Sequence, residues 1–143
     1  MSSFKNRAAA AGACVLLAPA VAGCAKAVST SAFKGEQHEV AQAISDLQAD
    51  VTANDEKKIC ANDLARVTVT RLQAAPGGCR KAVKDQLAEI DNDELAVDSV
   101  QIGPGAPPRT ATARVRSIFS GRTVRSTLTL VKEGSRWKVA GVG

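Results

Sequence analysis

TATARVRSIFSGRTVRSTLTLVKEGSRWKV, residues 110–139, decides the fold. Small or apolar residues alternate with polar ones along it, the period-two pattern of strands that bury one face. Ser120-Gly121 interrupts the run as a two-residue hairpin turn would. That turn sets Phe119 opposite Arg122, so partners across the hairpin have numbers adding to 241. Ala111/Leu130, Ala113/Leu128, Val115/Ser126 and Ser117/Val124 then share one face, and Thr112/Thr129, Arg114/Thr127 and Arg116/Arg125 the other. A second turn at Glu133-Gly134 brings Leu130 to Trp137 and Leu128 to Val139, again on the apolar face. The two turns select the same inside, and register is strongly specified where one face is buried. The stretch predicts an antiparallel meander.

Working back from it, Gly103-Pro104-Gly105-Ala106-Pro107-Pro108 forbids regular pairing and reads as a loop. Leu95 and Val97 alternate with Ala96 and Asp98, and Val100 and Ile102 follow in the other phase. A bulge near Ser99 would produce that switch.

The upstream half is helical. Val40, Ala43, Ile44, Leu47 and Val51 recur at three- and four-residue steps, with Glu39, Gln42, Asp46 and Asp50 on the other side, which predicts an amphipathic helix ending near Ala53-Asn54. Asp55 is placed to cap a second helix over Lys58 to Leu64, with Ile59, Cys60 and Leu64 inward. Residues 65–75 admit two readings: Val67, Val69 and the threonines suit a strand, while the Leu64, Val67, Leu72 spacing suits a helix and is favoured. Pro76-Gly77-Gly78 breaks the chain. Another helix is expected from Cys79 to about Ile90, with Ala82, Val83, Leu87 and Ile90 inward. Helices covering the apolar side of a sheet make an α+β architecture.

The start of the chain has a different character. Lys5 and Arg7 precede Ala8 to Ala22, an uncharged run of about 15 residues, short of the ~20 that a bilayer crossing needs. A basic start, a short apolar middle and small residues before a cut site mark a secretory signal. Val21-Ala22-Gly23-Cys24 resembles the bacterial lipobox, an aliphatic residue and two small ones before a cysteine. Ala11-Gly12-Ala13-Cys14 is a weaker rival, with few apolar residues ahead of it. The resemblance implies a signal peptide over residues 1–23, a diacylglyceryl group on Cys24, and attachment to the extracytoplasmic face of the cell membrane. Residues 24–37 then read as a tether, reaching at most ~45 Å, and residues 38–143 as the folded domain.

Cys14 leaves with the signal and Cys24 carries the lipid. Cys60 and Cys79 remain as a pair in an exported, oxidising setting, where a disulfide is expected; two separate buried thiols are the alternative. Removing Lys5 and Arg7 leaves 17 basic against 14 acidic residues, a mild +3 that gives no reason to expect nucleic acid. Three Phe, one Trp and no Tyr make a base-stacking platform implausible.

Helices first, a cysteine pair bracketing their junction, then a sheet ending in Gly134-Ser135-Arg136-Trp137-Lys138-Val139: over roughly Val40 to Val142 this resembles the small actinobacterial lipoproteins with an NTF2-like domain. The resemblance implies a cone in which helices pack on a bent sheet, often with a cavity between. Some enzymes of that fold, ketosteroid isomerase and polyketide cyclases among them, use an Asp or His base with Tyr or Asp donors. Here there is no Tyr, and His38, the only histidine, stands beside the tether. No cofactor or metal is expected, since Cys-x-x-Cys and calcium-loop spacings are missing. Asp91, Asp93, Glu94 and Asp98 read as a solvated turn. Ser29 and Ser31 lack a nucleophile elbow, and Gly77-Gly78 lacks the Lys-Ser/Thr of a P-loop.

Two features suggest binding. The outer sheet face should carry Arg114, Arg116, Arg125, Arg136 and Lys138 with no acid among them. Arg116 opposite Arg125 costs up to ~1 kcal/mol, which an anion, a partner's carboxylate or lipid headgroups would relieve. A solvated cationic face that resists aggregation is the plainer alternative. On the inner face Ala111, Ala113, Ser117 and Ser126 are small, which leaves either a small cavity or close helix–sheet packing. The sequence thus favours a non-catalytic envelope protein that binds or scaffolds, with an NTF2-like cavity enzyme as the alternative.

Overall fold

The computed structural model describes residues 28–89, 94–119 and 122–143. β1 (Leu95–Ile102), β2 (Thr110–Phe119), β3 (Arg122–Glu133) and β4 (Arg136–Val142) form one antiparallel sheet in the order β1-β2-β3-β4. Every β2–β3 pair, from Thr110↔Val131 to Phe119↔Arg122, has the register read from the sequence. The turn residues Ser120 and Gly121 lie outside the described residues. In β1 the register jumps between Val97 and Ser99, which leaves Asp98 as the bulged residue.

The β3–β4 hairpin corrects an expectation. Glu133 pairs with Arg136, so Gly134-Ser135 is the turn, and Leu130 meets Val139 while Lys132 meets Trp137. Gly134 takes a positive φ of 62°, which suits it to the first turn position of a primed hairpin. The slip relative to the expected pairing is two residues, one full side-chain period, so Trp137 and Val139 stay inside. A second irregularity between Thr129 and Leu130 makes Leu128 face Val142 and leaves Ala140 extra.

Four helical pieces precede the sheet: α1 (Glu36–Thr52), α2 (Glu56–Lys58), α3 (Arg66–Gln73) and α4 (Gly78–Leu87). α1 lies on the sheet, with Val40 and Ile44 fully buried against Leu130 and Val139 in the main core. Ala41 and Gln48 are buried too, while Ala43, Leu47 and Val51 are only partly so. The stripe is broader than its apolar spacing because α1 serves two clusters: Leu47 and Val51 also flank a satellite of Ile59, Cys79 and Val83.

The expected second helix is cut short. Asp55 caps it as expected, accepting from the Lys58 N–H at 3.0 Å, but after Lys58 the chain widens into a π turn, Ile59–Asp63, and Leu64 is extended. Leu64 bridges Val139, and the Ala65 N–H donates to the Val139 carbonyl at 2.8 Å. The segment thereby covers part of the β4 edge, which would otherwise offer unpaired backbone groups. α3 is a helix, as favoured, but turned so that Val67 is 64% exposed and Thr68 is buried. The Thr68 hydroxyl donates to the carbonyl of Ala140 at 2.8 Å, the residue where the β4 ladder slips. Glu133 Oε1 accepts from the Arg66 N–H at 2.7 Å and so closes the start of α3.

Cys60 in the π turn and Cys79 in the first turn of α4 form the expected disulfide, with Cα atoms 6.3 Å apart. The Pro76-Gly77-Gly78 break needs its glycines: Gly77 has φ +85°, and a Cβ there would stand 2.4 Å from Lys81 Cδ.

Among the described residues the packing already includes Val28, ahead of the expected domain start at His38. Val28 is 5% exposed within the main core, and Phe33 packs on it after a turn closed by its N–H to the Thr30 carbonyl at 3.1 Å. Two isolated apolar residues have no periodicity to announce them. Cys24 and the rest of residues 1–27 lie outside the described residues, as do Ile90, Asp91 and Asp93. Among the described residues no helix is long and apolar enough to cross a membrane.

Candidate functional site

Two surfaces bring chemistry-bearing side chains together. The first is an open groove of about 370 Å³ between α1, the π turn and the β3–β4 turn. α1 contributes His38, Glu39 and Asp46, the π turn Asn62 and Asp63, and β4 Arg136 and Trp137.

Asp63 is the unusual member. It is 7% exposed, and its Oδ2 has no hydrogen-bond partner among the described residues. Burial, and then the neighbouring carboxylates of Asp50 and Asp46, push its carboxyl up to about 7, against the pull of Lys138. Near neutral pH the group is therefore partly protonated, able to donate a hydrogen bond or exchange a proton. Sequence reasoning missed it, because Cys60-Ala61-Asn62-Asp63 reads as the middle of a capped helix. One signal was present: Asp63 lies four residues after Ile59, so the two share a helical face.

Above the groove runs a charge network. The corrected register places Lys132 on the inner face opposite Trp137. Lys132 Nζ lies 2.9 Å from Glu39 Oε2, 3.7 Å from Glu36 Oε1 and 5.6 Å from the Trp137 ring centroid. Trp137 Nε1 also donates to Glu39 Oε2 at 3.2 Å, and Arg109 pairs with Glu36. The Lys132 hydrogen bond holds Glu39 below the usual carboxylate range, and Glu39 in turn raises Lys132. These ties fasten α1 to the sheet, although solvent screening keeps the contribution of such exposed pairs small. His38 is exposed, with Nδ1 3.1 Å from the Thr30 carbonyl.

The second surface is the outer face of the sheet. Arg114, Arg116 and Arg125 meet there on β2 and β3, with Arg116 directly opposite Arg125. The expectation that acids would be missing is corrected. Asp98, thrust out by the β1 bulge, accepts from Arg116 Nε at 2.6 Å, so it belongs to this face and not to a solvated turn. Arg136 and Lys138 are drawn away from the other three. Arg136 pairs across the turn with Glu133 and lines the first groove, and Lys138 Nζ donates to the Ala61 carbonyl at 3.1 Å. What remains is a hollow of about 430 Å³ between Asp98 and Ser99 on β1, Arg114 on β2, and Arg125 and Thr127 on β3. Gly143 closes one side, exchanging two backbone bonds of 2.8 Å with Thr127.

The small inner residues divide. Ala111 and Ala113 are completely buried in the same cluster as Val40 and Ile44, so there they admit close packing by α1. Ser117 and Ser126 are half-buried toward the other end, beside Val124, which is 42% exposed. Among the described residues no group of three His, Cys, Asp or Glu side chains is arranged to hold a metal ion.

No family model and no curated protein matches the chain. Among solved structures it is similar to a designed NTF2-like chain titled Rd1NTF2_05, which carries further substitutions. The alignment covers 71% of this chain and 91% of the other, at 17% identity and a TM-score of 0.46. The site residues described above rest on the geometry of this chain alone.

Proposed function

We propose that the chain is a lipid-anchored protein of the cell envelope whose NTF2-like α+β domain binds or scaffolds rather than catalyses, through the outer face of its sheet. The location rests on Val21-Ala22-Gly23-Cys24 behind a basic and apolar start, and the Cys60–Cys79 disulfide agrees with an oxidising compartment. The observation that carries the mode of action is the occupation of the inner face. Val40, Ile44, Ala113, Leu130 and Val139 pack without exposure above 4%, where a cavity enzyme of this fold would hold its substrate. The opposite face carries the cations and faces outward.

The anchor is tested by intact-mass analysis and membrane fractionation of wild type and Cys24→Ala. Acylation of Cys24 and its loss with release from the membrane in the variant are expected; an unacylated, full-length chain in the cytosol overturns the location. The face is tested by crosslinked pull-down from native membranes and by binding to anionic vesicles. Arg116→Glu with Arg125→Glu should abolish both.

Asp63 favours a second reading, a cavity enzyme of the isomerase or cyclase kind. A carboxyl titrating at about 7 at the edge of a groove is equipped for proton transfer. A metabolite that copurifies with the wild type and is lost from Asp63→Asn would favour it.

A further inference from the structure

The outer hollow has a more specific chemistry than a diffuse positive face. We propose that it is a binding site for a phosphate group, clasped between the guanidinium groups of Arg114 and Arg125. The inference rests on the reading that the outer face is the binding face, and it narrows that face to two arginines and one ligand chemistry.

The register supplies the geometry. Arg114 stands opposite Thr127 and Arg125 opposite Arg116, so Arg114 and Arg125 are diagonal neighbours on adjacent strands and on one face. Diagonal positions lie about 7–8 Å apart at the backbone, within reach of long side chains that converge on one point. The hollow lies between them.

The charge balance supplies the ligand. Three guanidinium groups crowd this part of the sheet, and the bulge delivers a single acid to them, Asp98, which is held by Arg116 at 2.6 Å. Among the described residues neither Arg114 nor Arg125 has an ion-pair or hydrogen-bond partner. Two uncompensated charges suit a dianion, and guanidinium forks match the oxygens of a phosphate better than an ammonium does. The side chains of Ser99 and Thr127, both half-buried on the wall of the hollow, add hydroxyl groups to the site. Asp98 also lines the hollow and, paired with Arg116, keeps that third guanidinium group from the ligand. A phosphate could arrive as a soluble monoester, which can carry both negative charges, or as the singly charged phosphodiester of a lipid headgroup beside the anchor; the guanidinium contacts to its oxygens are shared, and the monoester matches the charge of Arg114 and Arg125 more fully.

The test titrates the purified protein with inorganic phosphate and with glycerol 3-phosphate at low ionic strength. It also measures cosedimentation with vesicles of phosphatidylcholine, with and without phosphatidylglycerol. Wild type is compared with Arg114→Gln/Arg125→Gln and with Asp98→Asn, and far-UV circular dichroism checks that each is folded. The double variant should bind both phosphates at least about tenfold more weakly, and Asp98→Asn, which frees Arg116, more tightly than wild type. Binding of soluble phosphate without vesicle preference assigns the site to a soluble ester. Preference for phosphatidylglycerol vesicles that is lost in the double variant assigns it to a headgroup. No phosphate binding, or binding unchanged in the folded double variant, overturns the site. If that happens while Arg116→Glu/Arg125→Glu still abolishes vesicle or partner binding, the site is refuted and the wider reading of the face survives.

Discussion

The core under the sheet and the small cluster around the disulfide hold their helices by different means. Beneath α1, a continuous set of apolar side chains runs from Val28 through Ile44 and Leu130 to Trp137. Beside α3 and α4 the buried members of the apolar cluster among the described residues are Ile59, Cys79 and Val83, and the same turn buries Asp63. Apolar burial is roughly proportional to area, so the second cluster supplies little on its own. The disulfide ties α4 to the π turn, and directed hydrogen bonds, Thr68 to Ala140 and Arg66 to Glu133, hold α3 to the sheet. A chain can extend a sheet-based core with helices that would not stay docked unaided, provided a crosslink restricts their alternatives. Those helices are then the part that opens first.

The sharpest contrast comes from one substitution in each region. Leu130→Ala removes a fully buried side chain from the centre of the main core. It should cost about 3–4 kcal/mol and shift the whole urea transition. Cys60→Ser with Cys79→Ser opens a crosslink spanning 19 positions, with an expected loss of up to about 3 kcal/mol. Hydrogen exchange should locate that loss: amides of α3 and α4 lose protection while those of β2 and β3 keep theirs. Equal loss in both would mean that the two regions unfold as one, and the contrast would fail.

Asp63 sharpens the comparison through pH. Its carboxyl titrates at about 7 in the folded chain against a reference value of 3.8. A raised carboxyl means that the folded form holds the proton more tightly than the unfolded one. The stabilisation is complete below about pH 4 and drains away as pH rises through about 7. Asp63→Asn keeps the shape and removes the titration. It should therefore gain about 1–3 kcal/mol over wild type near pH 8 and little near pH 4, read from urea midpoints. A wild-type pH slope that persists in the variant would show that another group causes it.

Much of the better-packed region is legible in the sequence, and little of the weaker one is. The β2–β3 register follows from alternation and one turn, because a one-residue error would turn Leu128 and Leu130 to solvent. The β3–β4 slip escapes the same logic, since a two-residue shift leaves every side chain on its face. What it changes is the partner, and so the position of Lys132 over Trp137. The bulge near Ser99 is visible as a change of phase, yet its consequence is not: reading Asp98 with the acids before it hides the acid that meets Arg116. The π turn has no local signature in Ile59-Cys60-Ala61-Asn62-Asp63. It depends on Leu64 pairing with a strand far along the chain. Thr68 facing inward and Val67 outward likewise follows from the free carbonyl at Ala140, which propensity at 65–75 cannot reveal.

The smallest effect concerns the two faces of one hairpin. Inside, cross-strand partners such as Ala113 and Leu128 are joined by burial alone; outside, Arg116 and Arg125 oppose each other and Asp98 intervenes. Removing the acid by Asp98→Asn should cost about 0.5–1 kcal/mol, because it leaves the like charges facing across the strands. In an Arg125→Thr background the repulsion is already gone, so the same change should cost a few tenths of a kcal/mol less. Urea midpoints at low salt measure both, and raising the ionic strength should shrink the difference, since the groups are solvent-exposed. A coupling that survives high salt would mean that Asp98 acts by shaping the bulge and not by its charge. The hollow beside it would then be set by backbone geometry, and its affinity for an anion would change little when that charge is removed.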